Sequence, residues 1–224
     1  MTGGTAETVR SRLRPAIVLW PDRVRPSMSL RSRLVGSALL VVGVAALGFA
    51  GTVSTGLVPS SSAPDGIAFV TPSPVSLLAT PALLAAGSVL LVGGTAAAGG
   101  TDASARAALV APGLSVVAAL AFGAGLFLAP ASVPETVTNP AARTALLSEF
   151  PALHVAGAVV GSAVAPVVQA TVTEDTPALL AGSVLLLAAL AAGASNPLSL
   201  VAGGLGGVAA VGVLWAVDPD RWRP

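Results

Sequence analysis

Among the 224 residues there is no cysteine and no lysine; all eleven basic residues are arginine, and His154 is the single histidine. Without cysteine there are no disulfides, no thiolate nucleophile and no Cys-ligated metal. Without lysine there is no Schiff-base chemistry and no Walker A phosphate loop. One histidine falls short of the three or four protein ligands that zinc normally takes, so no metal and no other cofactor is expected. Charge is scarce as well. Only 9% of residues are charged, against roughly 25% in soluble domains.

What is present is hydrophobic: 54% of the chain, with a mean hydropathy of +0.87. Six runs free of Asp, Glu, Lys and Arg occupy residues 34–58, 81–98, 107–129, 155–173, 177–194 and 197–217. Each is about 17 to 25 residues long, enough to cross a ~30 Å hydrocarbon layer at 1.5 Å per residue. In lipid the backbone must satisfy its own polar groups, so helices are expected, and no barrel-like alternation is present. The fold class expected is all-α: a polytopic transmembrane helical bundle of about six spans, with five spans as the rival count. It divides into a basic amino-terminal tail (1–33), the membrane domain (34–217) and a short tail (218–224). Met28 opens Met-Ser-Leu-Arg-Ser-Arg directly before the first run, so residues 1–27 are expected to be a dispensable tail or a mis-assigned start.

Arginine sets the expected orientation. With six spans and a cytoplasmic amino terminus, ten of the eleven arginines lie on the cytoplasmic side and only Arg143 outside. This is the positive-inside bias, and it predicts a cell-membrane protein with both termini cytoplasmic. The same bias explains the basic pI without nucleic acid. Trp215 and Trp222 flank the last span as interfacial anchors. In the second outer loop, Asn139 and Pro140 predict the start of a short surface helix with Arg143 and Glu149 turned to water.

An internal repeat is present in the letters. Thr80-Pro-Ala-Leu-Leu-Ala returns as Thr176-Pro-Ala-Leu-Leu-Ala, and Gly87-Ser-Val-Leu-Leu returns as Gly182-Ser-Val-Leu-Leu, with Ala86 as an extra residue in the first copy. In both copies Thr reads as a helix cap and Pro as the first helical residue. Two halves of three spans are implied. Because three is odd they would cross the membrane in opposite senses, a 3+3 inverted repeat of the kind used by many secondary transporters.

The polar residues inside the runs are few. Gln169, Ser88, Ser162 and Ser183 form the candidate intramembrane polar cluster, with Pro166 opening a kink one turn before Gln169. Gly157 and Gly161, and Gly203 and Gly207, are small-xxx-small pairs suited to close helix packing within the bundle or against a second chain. Glu174 and Asp175 precede a helix start, where negative charge suits the macrodipole. No acid, base and nucleophile converge, so no enzyme is expected. The reading is a non-catalytic subunit or scaffold of a membrane complex, with the lipid bilayer and a membrane-protein partner or second copy as its contacts. The alternative is a small transporter or channel for a neutral or apolar solute. The two separate on whether the polar side chains converge on one cavity.

Overall fold

The computed structural model describes residues 30–54, 57–59, 70–72, 74–123 and 151–222. The described residues are chiefly helical. Helix α1 (Leu30–Ser54) leads to a short antiparallel pair, β1 (Leu57–Pro59) and β2 (Val70–Pro72), with Val58 opposite Thr71. Then follow α2 (Pro74–Gly99), α3 (Ala105–Ala108), α4 (Val110–Gly123), α5 (Pro151–Val172), α6 (Thr176–Ala192), α7 (Pro197–Val217) and the single turn α8 (Pro219–Trp222). Among the described residues, five helical stretches are long and apolar enough to cross a membrane: Leu30–Val53, Leu77–Gly99, Ala105–Phe122, Val155–Val172 and Pro197–Val217. Helix α6, at 17 residues, is shorter.

The interior is built of small residues. Ala50, Ala85, Ala108, Ala119, Ala158 and Ala163 are fully buried, while Val41, Phe49, Leu180, Leu187 and Leu205 are exposed. Lipid is as apolar as leucine, so helices gain little by turning leucine inward. They gain by bringing backbones close, and small residues allow that. Helices α2 and α5 hold the centre: 61% and 67% of their apolar windows are buried, against 28% to 33% for α1, α3–α4 and α7. Helix α6 packs chiefly on α5.

One pole of the bundle gathers six helix ends. The Ser32 hydroxyl donates to the Ala97 carbonyl (3.0 Å), Arg106 pairs with Asp175 (3.0 Å) and Arg221 pairs with Asp102 (3.1 Å). The start of α1, the end of α2, the start of α3, the junction of α5 and α6 and the end of α7 therefore share this charged pole. Consequently α6 leaves it and α7, about 30 Å long at 1.5 Å per residue, returns to it.

Several expected boundaries move. Helix α2 begins at Pro74, so Pro81 lies inside the helix and not at its first turn. It removes the bond to the Leu77 carbonyl, a loss that neighbouring helices make tolerable in a bundle of this kind. Asp175, not Thr176, caps α6: its Oδ1 accepts the Ala178 N–H at 3.2 Å. Trp215 is turned outward as expected, but Trp222 is only 3% exposed, because the chain reverses after α7 and folds its last described turn against the bundle. The expected surface helix around Asn139 and Pro140, with Arg143 and Glu149, and residues 1–29 lie outside the described residues, as does the side chain of His154.

Candidate functional site

The closest helix contact that the small-residue pattern builds joins α5 to α7. A Cβ placed on Gly203 would overlap the Gly157 carbonyl, one on Gly207 the Gly161 carbonyl, and one on Gly161 the Gly203 carbonyl. Gly157 in turn lies against Ser199, which is itself 1% exposed. The spacing of four residues puts each pair on one face of its helix, so the two faces mesh through backbone alone. The seam continues on α2, where Gly206 meets the Ala82 carbonyl and Gly161 also touches the Ala85 methyl. Of the outward glycines, a Cβ on Gly48 or Gly212 would meet nothing within 4 Å.

The polar residues divide into two places. Leu84, Ala119 and Ala158 pack in one cluster where α2, α4 and α5 meet. Four residues along each helix from that cluster stand Ser88, Ser115 and Ser162, all fully buried. The Ser115 hydroxyl donates to the Ser88 oxygen at 2.9 Å, and Ser88 donates to the Leu84 carbonyl at 2.7 Å. Ser162 donates to the Ala158 carbonyl at 2.7 Å. This is a serine layer in which the hydroxyl protons are committed to backbone or to each other. Ser115 escaped the sequence reading, since a lone serine in a long apolar run carries little signal. Ser183 is half-buried on α6 and stands apart from the layer.

Gln169 is the second place, and it is not at mid-depth. It lies three residues before the end of α5, at the charged pole, 1% exposed, and its amide donates to the Arg221 carbonyl at 3.1 Å. Arg221 also pairs through Nε with Asp102 (3.1 Å) and with Asp218 (3.4 Å). At the same pole Asp175 serves two partners, Oδ1 as the α6 cap and Oδ2 toward Arg106. Of the acidic pair before α6, Asp175 thus has a structural use.

Three hollows are notable. A groove of about 400 Å³ lies between α1 and α4, lined by Val44, Gly48, Gly51, Val117 and Phe122 among others. Another of about 300 Å³ opens at the charged pole beside Thr95, Thr101 and Asp102. A void of about 10 Å³ lies beneath Trp222. Ser88, Ser162, Ser183 and Gln169 line none of the three. Thr80 is fully buried on α2, one turn before Leu84, and its hydroxyl has no hydrogen-bond partner among the described residues. No group of three or more His, Asp or Glu is placed to hold a metal ion among the described residues.

The fold and these contacts define a class: a helical bundle with helices long and apolar enough to span a membrane. Compared with known proteins, the chain matches no family model, no curated protein and no solved structure.

Proposed function

We propose that this chain is an integral protein of the cell membrane, with six spans and both termini cytoplasmic, that serves as a non-catalytic subunit or scaffold of a membrane complex. The observation that carries the reading is how the polar side chains are used. The serines of the central layer are bonded to backbone or to one another, and Gln169 holds the chain's own tail. A solute pathway needs polar groups offered to a cavity. The sixth span is α6: it leaves the charged pole at Asp175, α7 returns to that pole, and 17 residues give about 25 Å at 1.5 Å per residue. Placing the charged pole in the cytoplasm follows from the arginines on it and before it.

The alternative transporter built on a 3+3 inverted repeat would place Ser88 and Ser183 in matching surroundings. Ser88 is fully buried at the centre and Ser183 half-buried at the periphery. The test is purification of the tagged protein from its native membrane in a mild detergent, with mass spectrometry of the intact assembly. A stoichiometric partner protein is expected. A lone monomer or homodimer that also catalyses solute flux in vesicles would replace this reading with the carrier.

A further inference from the structure

We propose that residues 218–222 form a clasp that closes a chamber at the charged pole, with Trp222 as its cork. After α7 the backbone turns at Asp218 (φ −138°, ψ 75°), and α8 lays Trp222 among Leu39, Ala103 and Leu214, beside Gly93, Ala96 and Ala97. The void beneath it is bounded by Leu39 on α1, Gly93, Ala96 and Ala97 on α2, Ala103 and Leu214. Leu214 already fills the space over Gly93, but the methyls of Ala96, Ala97 and Ala103 cannot close the rest, so the ring supplies the missing volume. The void is about 10 Å³ with the ring in place. Lifting the ring would join that void to the space the indole fills.

The attachments differ in kind from those that hold the spans together. Arg221 grips Asp102, whose side chain is 91% exposed, and Asp218 at 33% exposure. The pair with Asp102, open to solvent on the aspartate side, contributes little, and the pair with Asp218 is internal to the clasp. The attachment within the bundle is the Gln169 amide on the Arg221 carbonyl. A buried amide left alone is costly, so when the clasp lifts, water must enter to replace that carbonyl. Opening the clasp and wetting the chamber are therefore one event, and it links α2, α5 and α7 at a single point. The inference is independent of the role proposed above for the whole chain.

The natural chain has no cysteine, so single thiols report cleanly. Ala103→Cys lies on the chamber wall, Thr95→Cys lies on exposed α2 surface, and Ser88→Cys sits in the central layer. Each is labelled with a membrane-impermeant maleimide in the full-length protein in vesicles. Ala103 also borders the hollow of about 300 Å³ but is only 6% exposed, so with the clasp intact Ala103→Cys is expected to label slowly. Adding Trp222→Ala should raise its rate about tenfold or more, as expected for a local opening, and adding Asp102→Asn only about twofold, the small effect of an exposed pair, while Thr95→Cys and Ser88→Cys stay unchanged. Equal Ala103→Cys rates with and without Trp222 would overturn the clasp. A parallel rise at Ser88→Cys in both variants would overturn it too, because the tail would then be holding the whole bundle.

Discussion

Helices α2 and α6 share eleven matched residues in two blocks, yet one is the centre of the bundle and the other its edge. Leu84, Val89 and Leu90 of α2 are buried at 0%, 0% and 5% exposure; their counterparts Leu180, Val184 and Leu185 are at 62%, 63% and 38%. The letters are the same, so the neighbours decide. Helix α2 is met by glycines on other helices, Gly43 on α1, Gly161 on α5 and Gly206 on α7, which let those backbones approach. Helix α6 is packed chiefly on α5, where Gly182 rests against Val167. In lipid an apolar stretch reads equally well as core or as lipid face, and the small residues of its partners determine which it becomes.

The largest effect should come from breaking the partner side of that comparison. Gly203→Leu forces a side chain into the Gly157 carbonyl with backbone on both sides and nothing flexible to yield. We expect a loss of about 3 kcal/mol or more, at or beyond the upper end of overpacking costs, read as loss of the folded species in a detergent unfolding titration. Gly212→Leu, where a Cβ meets open space, should unfold with the parent. If both variants behave alike, the α5–α7 seam is not what orders the bundle.

The matched leucines test the comparison directly. Leu84→Ala removes a fully buried side chain from the cluster with Ala50, Ala119 and Ala158, and should cost about 2–4 kcal/mol. Leu180→Ala acts on the exposed counterpart and should stay within about 0.5 kcal/mol. Equal costs in the same unfolding titration would mean that α6 is covered in the membrane, as a partner or second copy on that helix would require.

A smaller effect attends the serine layer. Ser88→Ala and Ser115→Ala each remove one end of the 2.9 Å contact, and a double-mutant cycle should give a coupling of about 0.6 kcal/mol, the usual size for interhelical bonds in a membrane. Ser183→Ala, outside the layer, should give no coupling to Ser115→Ala.

Much of the fold was legible because charge-free runs of sufficient length have few other uses. The helices Leu30–Ser54, Pro151–Val172 and Pro197–Val217 follow from that in outline, although the first starts four residues before the expected 34–58 and residues 57–58 fall in β1. Boundaries failed where a local signal had two readings. Pro81 suits a first turn in water, but inside a bundle a proline survives mid-helix, so α2 starts seven residues earlier than its motif suggests. The glycine pairs were legible from spacing, although nothing in the spacing says that α5 and α7 face each other. Ser115, the Asp102–Arg221 pair and the burial of Trp222 were not legible, since each depends on where distant helix ends meet.

A second comparison lies in two loops of the charged pole that close in the same way. At the end of α2, the Thr101 N–H bonds the Ala96 carbonyl across Gly100 at φ 60°; at the end of α5, the Asp175 N–H bonds the Ala170 carbonyl across Glu174 at φ 53°. Both are helix ends closed through a left-handed residue, a position that favours glycine because a Cβ crowds the backbone there. One loop has the glycine and the other carries glutamate. Glu174→Gly should therefore relieve that crowding, and after the added flexibility of the unfolded chain is subtracted, we expect a gain of up to about 1 kcal/mol. Gly100→Ala should lose a similar amount, because it places a Cβ where α2 has none. The gain at Glu174 depends on Asp175 keeping its cap and its Arg106 partner, neither of which uses the Glu174 side chain. A loss of stability in Glu174→Gly would therefore assign that carboxylate an attachment of its own at the charged pole, and would separate two loops that their backbones make alike.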